Sequence, residues 1–322
     1  MAILPIFVPQ AACPHQCVFC NQRTISGEKE AGLQDILRQI HTWLPRLHPS
    51  AANEAAFYGG SFTGLSLKEQ ALYLAPVEEL LKEHVIGSIR LSTRPDYIDE
   101  ARLLFLRQHN VKLVELGAQS LDDQVLKKAG RGHTSRQVVT AIKLLKKFGF
   151  KTGLQFMVGL PEQTWESLKA TAALAAQLKP DVARIYPLLV IKDTPLAQLY
   201  SRGEYAPLTL QEAVAQAAYL YEHLTAAGIH VIRVGLQPDK ELCTPGNILA
   251  GPFHPSMGEL VQSYLQRQRV AALLHQNKYV PGDLVVLRFP KRQESQMRGQ
   301  HNVNFYFWQE LIQPACLKLE CY

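Results

Sequence analysis

Residues 111–161 read VKLVELGAQSLDDQVLKKAGRGHTSRQVVTAIKLLKKFGFKTGLQFMVGLP. Two apolar runs, VKLVELG (111–117) and KTGLQFMVG (151–159), flank the longer stretch SRQVVTAIKLLKKFGF (135–150). In that stretch Val138, Ala141, Ile142 and Leu145 recur at i, i+3, i+4 and i+7, the spacing of an amphipathic helix. Strand, helix and strand in this order make a βαβ unit, whose strands lie parallel because a right-handed crossover joins them. The same rhythm runs through PIFV (5–8), EAAFY (54–58), SIRLS (88–92), DVARIYPLLV (181–190) and HVIRVGL (230–236). Helix-like segments such as LQDILRQIHTWL (33–44) and LKEQALYLAPVEELLKEH (67–84) lie between them. Six or seven such repeats predict an α/β fold, a partial (β/α)6 TIM-like barrel. Pro95, Pro161 and Pro195 each stand where a strand run ends and a helix is expected to start.

Beyond residue 240 the rhythm stops. CTPGNILAGPFHPSMG (243–258) is rich in Pro and Gly and reads as a linker or long loop. A helix-like stretch follows (259–277), then an expected strand (DLVVLRF, 283–289), a basic polar loop (290–302) and a second expected strand (VNFYFW, 303–308). The expected division is a barrel over residues 1–240 and a small α+β appendage over 241–322. An apolar content of 47% and a charged content of 19% are ordinary for a globular chain of 322 residues. The net charge of +6 suits a polyanionic partner and equally an enzyme of small acidic substrates. No apolar stretch approaches the roughly 18–20 residues needed to cross a membrane. The start, MAILPIFVPQ, lacks the basic and long apolar regions of a signal peptide. A cytoplasmic location, no membrane partner and reduced thiols are therefore expected.

Three of the six cysteines fall within CPHQCVFC (13–20). One reading makes Cys13, Cys17 and Cys20 zinc ligands, with His15 or Cys243 as the fourth. Structural zinc is usually built from two separated pairs, which a lone triplet does not supply. A redox dithiol of Cys17 and Cys20 leaves Cys13 without a role. An iron–sulfur centre takes thiolates as ligands, and three of them on a 4Fe–4S cube leave one iron open. The triplet follows the first strand, at the end of a parallel sheet where such folds place their sites.

CPHQCVFC resembles the signature of the radical S-adenosylmethionine (SAM) enzymes, with Phe19 at its aromatic position. Further stretches after predicted strands carry the same resemblance. FYGGSF (57–62) is similar to the glycine pair that binds the amino group of SAM, which implies that role for Gly59, Gly60 and Ser61. ELGAQS (115–120) with RGH (131–133) is similar to oxygen-independent coproporphyrinogen oxidases and, more closely, to the catalytic subunit of Elongator. That resemblance implies that Gln119 faces the SAM ribose and that Arg131 holds its carboxylate. Gln155, before GLP (159–161), stands at a position that is acidic in the porphyrinogen oxidases. STRPDY (92–97), IYPLLVIKDTP (185–195), IRVGLQ (232–237) and SQMRGQ (295–300) also resemble the Elongator-like subgroup.

The resemblance implies an enzyme with a 4Fe–4S cluster on Cys13, Cys17 and Cys20 that cleaves SAM reductively to a 5′-deoxyadenosyl radical. It also implies an outside electron donor, a flavodoxin or ferredoxin, and modification of a tRNA or other RNA. Only the radical module is matched; no glycine-rich acetyl-CoA loop is read in the final eighty or so residues. Arg288, Lys291, Arg292, Arg298 and His301 gather near Phe305–Trp308, a combination that suits phosphate contacts and base stacking, and equally a solvated loop beside a half-buried strand. Two other classes stay open: a radical enzyme of a small molecule or tetrapyrrole, and a non-catalytic metal-binding module. Cys316 and Cys321 offer a second metal pair or are incidental.

Overall fold

A computed structural model describes residues 2–9, 12–13, 17–27 and 32–322. Its strands are β1 (Ile3–Val8), β2 (Glu54–Gly59), β3 (Ser88–Thr93), β4 (Val111–Gln119), β5 (Lys151–Val158), β6 (Val182–Pro187), β7 (Val190–Ile191), β8 (His230–Val234), β9 (Ile248–Ala250), β10 (Leu284–Phe289) and β11 (Cys316–Cys321). The helices are α1 (Gln22–Ser26), α2 (Leu33–Trp43), α3 (Leu67–Lys82), α4 (Glu100–Gln108), α5 (Asp123–Lys128), α6 (Ser135–Lys147), α7 (Trp165–Leu178), α8 (Pro195–Ser201), α9 (Leu210–Ala226), α10 (Met257–Leu274), α11 (Glu294–Arg298) and α12 (Val303–Leu311).

Seven strands form one all-parallel sheet in the order β1-β2-β3-β4-β5-β6-β8, which keeps the order of the chain, with β7 set aside in a two-stranded sheet with β9. The sheet curls into a half-barrel with β1 and β8 at its free ends. This is the expected partial barrel, carrying a seventh strand. Its two faces differ sharply. Leu4 and Ile6, Phe57, Ile89 and Leu91, Val114 and Leu116, Leu154 and Phe156, and Ile185 belong to one helix-packed core. The alternate residues Tyr58, Arg90, Ser92, Glu115, Gln155 and Arg184 hydrogen-bond to one another across five strands, so they share the concave face. Period-2 alternation sends side chains to opposite faces, and here it separates an oily outside from a polar inside.

The helices begin where their sequences provide caps. Ser66 and Glu69, Thr134 and Gln137, and Thr209 and Glu212 form capping boxes at the starts of α3, α6 and α9. Pro195 is the first residue of α8, as expected of a helix start. Pro161 is not: it lies in a turn, and α7 starts only at Trp165 after its cap Thr164.

Helix α10 joins two cores. Met257, Val261 and Leu265 complete the barrel core, whereas Val270, Ala271 and Leu274 pack with Phe289, Met297, Trp308, Ile312, Ala315 and Leu317. The C-terminal piece departs from the expected strand–loop–strand. The stretch VNFYFW opens helix α12 instead of a strand, and the basic loop 290–302 folds into short helical turns around α11. Burial explains why: Asn304, Trp308 and Ile312 are buried at a spacing of four, the helical period, while Tyr306 is 63% exposed. Trp308 donates its indole N–H to the Arg267 carbonyl (3.0 Å), and Asn304 donates to the Ser263 carbonyl (3.1 Å). The second strand is β11, paired parallel to β10 from Leu284↔Cys316 to Phe289↔Cys321.

Candidate active site

Parallel strands carry their successive carboxyl ends to one edge of the sheet, and there the side chains converge. A cavity of about 540 Å³ opens at this edge. Its lining includes Cys13, Cys17, Phe19 and Cys20 from the segment after β1, and Gly59, Gly60 and Ser61 from the end of β2. Gln119 from β4, Arg131 after α5 and Gln155 from β5 complete the set that the sequence singles out, all in the one cavity. His15 lies outside the described residues.

The segment bearing the cysteines is held by chain segments far away in sequence. The Val18 N–H donates to the Ala129 carbonyl (3.1 Å), and the Val18 carbonyl accepts from the Leu196 N–H (2.7 Å). Asn21 donates from Nδ2 to the Lys192 carbonyl (2.9 Å), and its Oδ1 caps α1 at the Thr24 N–H (3.2 Å). Gln22 donates from Nε2 to the Gly59 carbonyl (2.7 Å), tying this segment to the glycine pair. Gly59 takes a φ of +103°, and a Cβ there would stand 2.9 Å from Gln22 Oε1 and 3.0 Å from the Val8 carbonyl oxygen, so only glycine fits.

Cys17 is buried and Cys13 exposed, with Cys13 Sγ 3.5 Å from Ser61 Oγ. Burial, then the neighbouring Cys17 and Cys13, pushes the Cys20 thiol up to about 12, with Gln22 and Arg131 pulling the other way. Arg131 donates from Nη1 to Cys17 Sγ (3.0 Å) and from Nη2 to the Gly117 carbonyl (2.5 Å). Its Nε and the Oε1 of Gln119 are buried without a hydrogen-bond partner. Native proteins rarely leave such atoms orphaned, and both residues line the cavity, which makes it a candidate ligand site.

Several residues at the site were given no role by the sequence reading, although STRPDY (92–97) and ELGAQS (115–120) contain some of them. Gln22, Thr93, Arg94 and Gly117 also line the cavity. Arg94, buried, holds Asp96 through Nε and Nη2 (3.0 Å each) and donates from Nη2 to the Arg131 carbonyl (2.6 Å). Beneath them Glu115, 1% exposed, accepts from Arg184 Nε (2.6 Å) and from Gln155 Nε2 (3.2 Å). Tyr58 accepts at its hydroxyl from Arg90 (2.7 Å) and Arg184 (3.2 Å). Local spacing does not reveal these pairings, because the partners meet only when residues up to 126 positions apart come together.

The basic residues of the C-terminal piece lie apart from this cavity. Arg288 pairs with Glu320 (3.1 Å) and Arg298 with Glu294 (2.9 Å), while Lys291, Arg292 and His301 are exposed. A residue the sequence did not single out, Arg267, lies between the rings of Tyr264 and Phe307, 5.1 Å from each centroid. Cys243 is exposed and does not line the cavity. Cys316 and Cys321 stand at opposite ends of β11. At about 3.3 Å per residue they are some 16 Å apart, too far to share one ion.

Comparison with known families agrees with the architecture. Residues 7–175 match the radical SAM superfamily, more than half the chain, and residues 180–267 match the radical SAM C-terminal domain. The chain belongs to the radical SAM superfamily. Among curated radical SAM relatives is a tRNA uridine(34) acetyltransferase of Methanocaldococcus jannaschii, 25% identical over 84% of this chain and 56% of its own length. The heme chaperone HemW of Bacillus subtilis is 27% identical over 68% of this chain and 59% of its own. The chain thus spans little more than half the length of these relatives. Among solved structures, the archaeal Methanocaldococcus infernus Elp3 with an N-terminal deletion superposes with a TM-score of 0.68 at 24% identity, covering 83% of this chain and 63% of that one. This likeness extends the shared fold beyond the barrel. Among the described residues no helix is long and apolar enough to cross a membrane.

Proposed function

We propose that this radical SAM enzyme holds a 4Fe–4S cluster on Cys13, Cys17 and Cys20, binds SAM beside it, and modifies RNA, with tRNA as the first candidate. The observation that carries the reading is the gathering of residues from the ends of β1, β2, β4 and β5 around one cavity that contains all three thiols. The donor set fits a cluster better than a single ion. Zinc requires three or four ligands about 2.0–2.3 Å from one centre. Three thiolates without a second pair are one ligand short of a closed structural zinc site. Thiolates of a cube bind separate irons and so stand farther apart.

When bound and reduced, the cluster supplies the electron that cleaves SAM, and a flavodoxin or ferredoxin is the proposed donor. The chain's own residues bind and orient. The backbone at Gly59 and Gly60, free of side chains, accommodates the methionine amino group, and Ser61 stands beside it. Arg131 offers its orphaned Nε–H and remaining Nη protons to the carboxylate, as a planar fork does. Gln119 faces the ribose with its unpartnered Oε1. Gln155, held by Ser92 Oγ (3.1 Å) and Glu115 (3.2 Å), borders the adenosyl side. Phe19 lines the same wall and keeps water from the reacting centre.

The RNA reading is supported by the Methanocaldococcus relative and by the basic and aromatic groups of the C-terminal piece: Arg267 between Tyr264 and Phe307, the exposed ring of Tyr306, and the exposed Lys291 and Arg292. Stacking faces next to cations suit single-stranded bases and phosphates. Acetyl transfer is no part of the proposal. Anaerobic reconstitution tests the chemistry: about four iron and four sulfide per chain, with SAM cleavage by dithionite, are expected. Cys17→Ala abolishes both signals, and retained cleavage in that variant would sink the site assignment. The substrate is tested by salt-dependent tRNA binding and by mass spectrometry of tRNA nucleosides from cells lacking the protein. Unchanged nucleosides, together with a thermal shift on adding a porphyrin, would favour a tetrapyrrole substrate instead.

A further inference from the structure

The guanidinium of Arg131 does more than line the cavity. It is 6% exposed, as is Cys17, and its Nη1–H points at the Cys17 sulfur from 3.0 Å. A cation donating to a thiolate at low dielectric makes a charge-assisted bond, among the stronger hydrogen bonds a protein forms. The arginine is fixed at both ends. Its backbone N–H donates to the Leu126 carbonyl (3.0 Å), and its carbonyl accepts from Arg94, itself clamped by Asp96. At the tip, Nη2 donates to the Gly117 carbonyl. Gly117 leaves the room: a Cβ there would stand 3.3 Å from Nη2 and 3.1 Å from Gln119 Nε2. Cys13 has a different neighbour, the Ser61 hydroxyl, which is neutral and more distant.

Resting on the cluster reading above, we propose that Arg131 tunes the metal centre: its Nη1–H on Cys17 Sγ draws charge from one ligand and raises the cluster's reduction potential. The sign follows from charge. Reduction adds an electron to a centre already carrying three thiolates, so a cation and donor at one of them stabilise the reduced form more than the oxidised form. This role is separate from holding the SAM carboxylate, which uses the Nε–H and the Nη protons left over. It operates without SAM.

The test is an anaerobic redox titration of the full-length, reconstituted protein without SAM, following the reduced cluster by electron paramagnetic resonance. Wild type is compared with Arg131→Gln, which loses charge and fork, and with Arg131→Lys, which keeps the charge but loses the fork. At the wild-type midpoint the reduced-to-oxidised ratio of the glutamine variant is expected to fall about tenfold, a downward shift of about 59 mV for one electron. The lysine variant is expected to fall by less. Midpoints that coincide in all three proteins overturn the proposal. Should the glutamine variant fail to retain iron, the lysine variant carries the test, and an unshifted midpoint there overturns it equally. If the wild type takes up no iron and sulfide, the functional reading itself falls, and this inference with it.

Discussion

Replacing Glu115 with glutamine removes a fully buried carboxylate from the concave face of the half-barrel. Glu115 accepts from Arg184 Nε (2.6 Å) and Nη2 (3.2 Å), and Arg90 Nε stands 3.9 Å from it. Arg90 keeps a second carboxylate, Glu54, at 3.3 Å. Arg184 would keep neutral partners, the amide oxygen of the new glutamine and the hydroxyls of Tyr58 and Tyr186, but would be a buried cation without a counter-charge. Breaking one partner of a buried ion pair costs about 3–5 kcal/mol. The amide fills the same volume, so no cavity adds to this, and about 3 kcal/mol is the expected loss. At roughly 2 °C per kcal/mol for a chain of this size, the melting temperature falls by about 6 °C. The double variant separates charge from packing. Removing the stranded cation as well, in Glu115→Gln with Arg184→Met, should recover part of the loss, because an uncharged replacement of a buried pair is often neutral. Urea unfolding followed by circular dichroism measures the wild type, Glu115→Gln, Arg184→Met and the double variant. A double variant that loses the sum of the two single losses would refute the reasoning, since packing and not unpaired charge would then be the cause.

Two further outcomes follow from the described packing. Trp308→Ala removes the largest side chain of the C-terminal core and is expected to cost about 3–5 kcal/mol. Limited proteolysis should then cut first within residues 280–322, and cuts first in the barrel would refute the two-core description. His133, buried beside the site, has its value lowered from 6.5 to about 3 by burial first and then by Arg131 and Arg94. The folded state therefore refuses a proton that the unfolded chain accepts below pH 6.5. Its contribution is constant above that pH, and stability falls by up to about 1.4 kcal/mol per unit on going from pH 6.5 towards pH 3. Nitrogen NMR of His133 should show a neutral ring at pH 5, and a charged ring there would contradict the expectation.

How much of this was legible in the sequence depends on how local the signal is. Strand β5 and helix α6 announce themselves through period 2 and period 3.6, and the cavity residues cluster where those periods break. Glycines and cysteines at strand ends are visible one motif at a time. The pairings of Arg94, Glu115 and Arg184 are not, even where the residue stands in a quoted motif, because each is an ordinary charged residue until the sheet brings its partner alongside. The stretch from Val303 to Trp308 misled for a related reason. A run of aromatic residues has high strand propensity, but the core beneath it offers room at every fourth residue, so packing against α10 overrides propensity. Cys316–Cys321, with leucines at alternate positions, carried the strand pattern all along.

The backbone of Val18 bonds to Ala129 on one side and Leu196 on the other, and its neighbour Asn21 reaches Lys192. A chain emerging from the ribosome therefore exposes its three thiols long before anything exists to hold them. They acquire fixed places only after some 180 further residues have been synthesised and the sixth strand has docked. All of these anchors precede β8, so the partners of the sulfur-bearing turn exist before the last strand of the sheet is made, and iron delivered before them meets only a loose peptide.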